Sequence, residues 1–191
     1  MIRPCVSNQH PLASILDQIQ RLVDDGHIDL SVAKNALHQI IAAARIEFTV
    51  SQTRLLTGKK TGPFQVEDDC LYPTGRLQAI SLVQVIKAPT PFITFDGLRK
   101  KAKETSSFLG LAHADAFIGT APVASRLFVG KVILFPGTTM RPHQDKSDES
   151  YIPAVRIEEN RWEIYAEPIR NSWNKRVHGN FYLMSVYQKR P

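Results

Sequence analysis

The chain has 191 residues, 43% apolar and 22% charged, which is enough for a substantial core and ordinary for a globular protein. Its formal net charge of +6 points toward an anionic partner such as nucleic acid, anionic lipid or an acidic small molecule, without choosing among them. Cys5 and Cys70 lie far apart with no C-x-x-C spacing, which argues against a disulfide framework or a zinc site; the first ten residues lack the apolar core of a signal peptide and no run approaches 18 apolar residues, so no spanning helix and a reducing, cytoplasmic setting are expected.

The charge is unevenly placed. Residues 1–57 hold five basic and five acidic side chains, and the remaining 134 residues carry the whole excess. From Leu12, the apolar positions Leu12, Ile15, Leu16, Ile19, Leu22 and Val23 form one helical stripe, ended by Asp24-Asp25-Gly26. Asp29 or Ser31 can cap a second helix carrying Val32, Ala33, Ala36, Leu37, Ile40, Ile41, Ala44 and Phe48, expected to run to about Thr57. Two helices cannot enclose a core alone, so a partner helical pair or the chain's own C-terminal part must cover the rest.

Gly58 to Thr74 is rich in Gly, Pro, Lys and Asp and reads as a linker. Gln78–Ile86 reads as a strand and Lys87–Pro91 as a turn, followed by a short extended Phe92–Phe95. Asp96 can cap a helix over about Gly97–Leu109, with Leu98, Ala102 and Thr105 on one face and Arg99, Lys100, Lys101 and Lys103 mostly on the other. Leu127–Phe135 reads as a strand and Gly137–Ser150 as a polar loop. Ile152–Ile157 and Trp162–Ile169 read as a hairpin, Asn171–Val177 as a short helix and Phe181–Tyr187 as a final strand. Clustered strands favour α+β over a doubly wound sheet. The organisation is a helical hairpin over 1–57, a linker over 58–75 and a mixed α+β domain over 76–191.

Several residues could carry chemistry. His143, Asp145 and His178 make a candidate facial triad for ferrous iron, although only two strands separate them. Glu163 and Glu167 alternate with Trp162, Ile164 and Tyr165; they read as solvent-facing, and a carboxylate on a late strand could also serve transferase chemistry. Cys70 has no sequence-near histidine and reads as an inert thiol. Near the end, Trp173, Lys175, Arg176, His178, Phe181, Tyr182, Tyr187, Lys189 and Arg190 interleave bases and aromatics. Such a pattern can stack nucleic acid, seat a dinucleotide or simply be a strand with a charged tail.

The pattern Ile15-Leu16, Gly26, Asp29, Ser31, Arg45 and Phe48 resembles the N-terminal helical pair of the IcmQ family, components of the Dot/Icm type IVB secretion system. In the same order, Ile80-Ser81-Leu82 resembles the first strand of that family's C-terminal domain. Ile93-Thr94-Phe95-Asp96-Gly97-Leu98 resembles its T-W-E-x-I segment, Phe128-Val129 to Leu134 its Y-V-A-I-Y-I strand, and Asn174 to His178 its N-R-F-V-H segment. The resemblance implies a hairpin that joins a small IcmR-like adaptor chaperone in a four-helix bundle, through Leu12, Ile15, Leu16, Ile19, Leu22, Leu37, Ile40, Ile41 and Phe48. It further implies an ADP-ribosyltransferase-like domain that binds NAD without assured transfer activity, and contact with the inner membrane. Position makes Arg76 and Arg126 the expected pyrophosphate clamps, with Thr94 and Phe95 in the matching segment. Lys59, Lys60, Arg99, Lys100, Lys101 and Lys103 are the expected contacts to an anionic surface. An active transferase, an iron oxygenase and a nucleic-acid binder are the alternatives.

Overall fold

The computed structural model describes residues 11–43, 46–52, 54–87, 92–120, 129–143, 148–158 and 161–188. The chain forms two compact units, Met1–Gln39 and Ile40–Pro191. In the first, helix α1 spans Pro11–Asp24 and helix α2 begins at Leu30 and runs to Ala43. The turn between them follows from two residues. Gly26 has φ 73°, and the His27 N–H reaches the Leu22 carbonyl at 2.9 Å while the Gly26 N–H reaches Val23 at 3.0 Å. This is the Schellman closure, which needs a residue that tolerates a left-handed backbone. Asp29 then caps α2, accepting from the Ser31 N–H at 2.8 Å. Those bonds, the Ser31 hydroxyl first, hold the Asp29 carboxyl below its usual pKa.

The second unit is built on a nine-stranded sheet. Its strands are β1 (Glu47–Val50), β2 (Lys60–Thr61), β3 (Phe64–Asp68), β4 (Gly75–Gln84), β6 (Val132–Leu134), β7 (Thr139–Pro142), β8 (Tyr151–Glu158), β9 (Arg161–Pro168) and β11 (Phe181–Gln188). Their order is β1-β4-β11-β6-β8-β7-β3-β2, with β9 on the other edge of β8. Among the described strands only the β11–β6 pair is parallel. A separate two-stranded ribbon pairs β5 (Phe92–Ile93) with β10 (Trp173–Asn174). Helices α3 (Phe95–Glu104), α4 (Leu111–Thr120) and α5 (Lys175–His178) complete the unit.

Both faces of the sheet are apolar, because helices cover both. Ala114 and Phe117 of α4 pack with Phe48, Leu77, Ala79, Ile133, Val155, Met184 and Val186 on one face. Leu98 and Ala102 of α3, together with Trp173, pack with Val132, Leu134, Ile152, Ala154 and Leu183 on the other. A bulge keeps β4 in phase. Ser81 faces Ser185 and Ala79 faces Val186, so Ile80 has no counterpart and turns outward, 40% exposed. The extra residue returns Leu82 to the face of Leu77 and Ala79.

The mixed α+β class and the hairpin β8–β9 agree with the sequence, while several boundaries differ. Helix α2 ends at Ala43, not Thr57. Ile46, Phe48 and Val50 are buried while Glu47 and Thr49 face outward, the two-residue period of a strand that pairs with β4. Phe48 therefore belongs to the sheet core, not to a surface for a partner helix. Residues 58–75 are not a linker. They carry the hairpin β2–β3, with Gly62 at φ 58° in its turn, and Val66 is buried. The loop expected over 137–150 contains β7. Helix α4 was unforeseen because it is apolar nearly all round and has no amphipathic period to read.

Phe48 is 2% exposed and meets Phe117 edge-on at 5.8 Å. Phe48→Ala should lower unfolding free energy by about 3–5 kcal/mol in a urea titration. Leu30→Asp, at a position 65% exposed, should change it by no more than about 0.5 kcal/mol. Equal effects would place Phe48 outside the core.

Candidate anion-binding cleft

Strand β4 ends at Gln84. Val85 and Ile86 then turn into the core and Lys87 emerges into solvent. Across from them, Thr94 caps α3 by accepting from the Gly97 N–H at 3.2 Å. Gly97 permits close approach here, since a Cβ would meet Ile93 at 3.1 Å and Thr94 Oγ1 at 3.3 Å. Between β4, β5 and α3 lies a cavity of ≈ 400 Å³. Val85, Ile86 and Ile93 make its apolar part, Phe92 stands half-exposed on its wall, and Lys87, Lys100 and Lys101 line it against a single carboxylate, Glu104.

Helical geometry explains this gathering. Lys100, Lys101 and Glu104 fall on the flank of α3 that lines the cleft, while Leu98 and Ala102 are buried. Arg99 and Lys103 fall on the opposite flank, 5.1 Å and 5.0 Å from the Phe108 ring centre, and Arg99 also pairs with Asp68 at 2.9 Å. The run of cations expected on one solvated face is thus divided into two groups. Lys101 Nζ donates to the carbonyls of Gln84 at 2.8 Å and Val85 at 2.9 Å. Burial, and then the Lys87 charge, push its pKa below the usual lysine value. An anion seated among these amines would offset that repulsion.

The expected ligand-binding residues separate. Arg76 sits near the start of β4 and pairs with Glu47 of β1 at 2.6 Å. Nine residue steps along the strand, about 30 Å, separate it from Val85, too far for both to touch one pyrophosphate. Thr94 is occupied as a cap. Phe95 packs toward Trp173, ring centres 6.3 Å apart, beneath Arg99. Arg126 lies outside the described residues. Lys59 and Lys60 are exposed at the β2–β3 hairpin and do not line the cleft. In the helical unit, Ile19 and Leu37 are half-buried and Leu22 is 40% exposed. Leu12, Ile15 and Leu16 lie on α1, and Ile40 and Ile41 fall within the second unit's share of α2; their side chains are outside the described set. Sequence reasoning missed Lys87, Phe92 and Glu104 as cleft residues. Only the cation directly after an apolar strand signalled Lys87.

Other candidates resolve into separate places. His143 Nε2 bonds the Gly62 carbonyl at 3.2 Å, whereas His178 packs edge-on against Phe181 at 5.0 Å. Asp145 lies outside the described residues, and among the described residues no three metal-binding side chains come together. Glu163 is exposed on β9. Glu167 is 8% exposed, not solvent-facing as expected, and shares its face with Tyr165, whose hydroxyl burial pushes up to about 12. Neither carboxylate lines the cleft. Burial also raises the Cys70 thiol to about 12, consistent with an inert role.

A buried polar knot joins α4 to the loops beside it. Asp69 accepts from the Leu56 N–H at 2.9 Å, from Gln52 at 3.1 Å and from the Thr138 hydroxyl, which itself accepts from the Leu111 N–H at 2.8 Å. His113 accepts from the Gly110 N–H through Nδ1 at 3.1 Å and donates through Nε2 to Pro73 at 2.7 Å. Its two partners require the neutral ring, and burial lowers its pKa against the opposing pull of those bonds and of Asp69. The knot is satisfied internally and reads as structural. No protein-family model, curated protein or solved structure matches the chain.

Two outcomes follow from these bonds. Lys101→Met leaves two carbonyls with one partner fewer and should cost about 1–2 kcal/mol in a denaturant titration, against no more than about 0.5 kcal/mol for Lys100→Met. The His113 ring should titrate below the free imidazole value of about 6.5 in an NMR titration. Because its folded pKa is depressed, its stabilisation is complete above about pH 6.5 and is lost as pH falls from there toward the folded value. A ring titrating above 6.5 would contradict the neutral knot.

Proposed function

We propose that this chain is a two-part binding protein in which the sheet unit holds a phosphate-bearing ligand, NAD being the favoured one, and the helical unit receives helices of a small adaptor. The observation that carries the first half is the convergence of Lys87, Lys100 and Lys101 on one cleft with the half-exposed Phe92. Amines neutralise phosphate, and an aromatic wall can stack a base or nicotinamide ring. The second half is supported by Leu22, Leu30 and Val32, which are 40%, 65% and 59% exposed. A partner's apolar helix would cover them.

The resemblance to the secretion component IcmQ supports the same pairing of roles, with an IcmR-like chaperone as the adaptor and an ADP-ribosyltransferase-like sheet unit. No helix among the described residues is long and apolar enough to cross a membrane. The proposed location is the cytoplasm, with the exposed cations outside the cleft, Lys59, Lys60 and Lys103, resting against the inner membrane. The reading is of binding without transfer, since Glu163 and Glu167 lie away from the cleft.

Calorimetric titration with NAD tests this. The wild-type chain should bind, and Lys87→Glu with Lys100→Glu should weaken binding by at least about tenfold, as expected for lost charge-assisted contacts. Arg76→Ala should leave affinity unchanged. No heat at millimolar NAD, or equal affinity in the lysine variant, overturns the cleft assignment. Binding to an oligonucleotide that weakens steeply with salt would favour nucleic acid instead.

A further inference from the structure

Strand β9 is the outer strand of the β8–β9 hairpin. It pairs with β8 over Arg161–Pro168, and no described strand lies on its other side. An edge with no described strand beside it is a template for another strand. The side chains on the face shared with Tyr165 alternate as Arg161, Glu163, Tyr165 and Glu167. Glu167 is 8% exposed and makes no ion pair with a described residue. It does interact with the Tyr165 hydroxyl, and an arginine from a second strand at this edge would add a counter-charge.

We propose that β9 pairs antiparallel with β9 of a second copy of this chain, extending the sheet across a two-fold axis at Ile164. The register is decided by charge. A two-fold perpendicular to the sheet sets residues of like parity opposite each other, because side chains keep their faces. Centring on Ile164 puts Arg161 opposite Glu167 of the second copy, twice. Centring one residue earlier sets Glu163 opposite itself, and centring one residue later sets Glu163 opposite Glu167. Directly opposed like charges are destabilising, and of these three registers only the first brings unlike charges together; centring on Trp162 would also set Arg161 opposite Glu163, but it would pair no more than three residues of β9. The exposed intrachain Arg161–Glu163 pair, at 3.4 Å, is weak enough to yield its arginine.

Sedimentation equilibrium on the full chain at low salt should show a dimer. Arg161→Glu, at an exposed position, should raise its dissociation constant by about tenfold or more, since both cross-strand pairs become repulsive. Glu163→Lys should leave it unchanged, because Glu163 faces Tyr165 in this register. The register is read directly by Ile164→Cys. Opposite Cα atoms in such a pair lie about 4.5–5.5 Å apart, within disulfide reach, so diamide should cross-link the variant far faster than the unsubstituted chain. A monomer at every concentration overturns the proposal. So does a dimer that is indifferent to Arg161→Glu and that Ile164→Cys fails to cross-link.

Discussion

The last strand of the chain sits in the middle of its sheet. β11 lies between β4 and β6, and its pairing with β4 sets Leu77 opposite Gln188, 111 residues later. Each face of that pair is packed, by α4 on one side and by α3 with Trp173 on the other. Everything else is arranged around this ladder. Its one-residue bulge at Ile80 keeps two stretches of β4 facing the same core, and its far end delivers Val85, Ile86 and Lys87 to the cleft. Loop closure over such a separation is costly, which makes this pairing a strongly non-local step in building the sheet.

The cleft depends on that docking in a second way. Lys101 donates to the two carbonyls at the end of β4, tying α3 to the ladder. The same amine faces Lys87 across the cavity. Holding two amines close in a partly dry site disfavours their charges, and this is the condition in which an anion is welcomed. Fold and candidate function thus share one side chain, and stability at Lys101 and affinity at the cleft are linked through it.

The buried polar knot plays a different part. Asp69, Thr138 and His113 tie Gln52, Leu56, Pro73, Gly110 and Leu111 together through matched donors and acceptors. Glycines make room for it. A Cβ on Gly137 would meet the Leu109 carbonyl at 2.8 Å, and one on Gly110 would press on Thr138 and Asp69. A polar core of this kind specifies one arrangement of the loops at the start of α4, since any slip leaves groups unsatisfied.

Local rules read from the sequence were enough for α1 with its Gly26 ending, for a cap of α2 at Asp29 or Ser31, for the β8–β9 hairpin and for the final strand, because each is written in spacing and turn chemistry within a few residues. They also placed Lys100 and Lys101 on α3. What they could not decide was the fate of Ile46–Val50, whose apolar positions suit both a helix and a strand; pairing with β4 chose the strand. Nor could they separate Arg76 from Lys87, two cations flanking one strand, because only its extended length puts them at opposite ends. The apolar α4, the hairpin hidden in a Gly- and Pro-rich stretch, and Phe92 beside the lysines all arise from contacts between distant segments. Sequence periodicity carries the first kind of information and not the second, because it records which face is apolar and is silent on what will cover it.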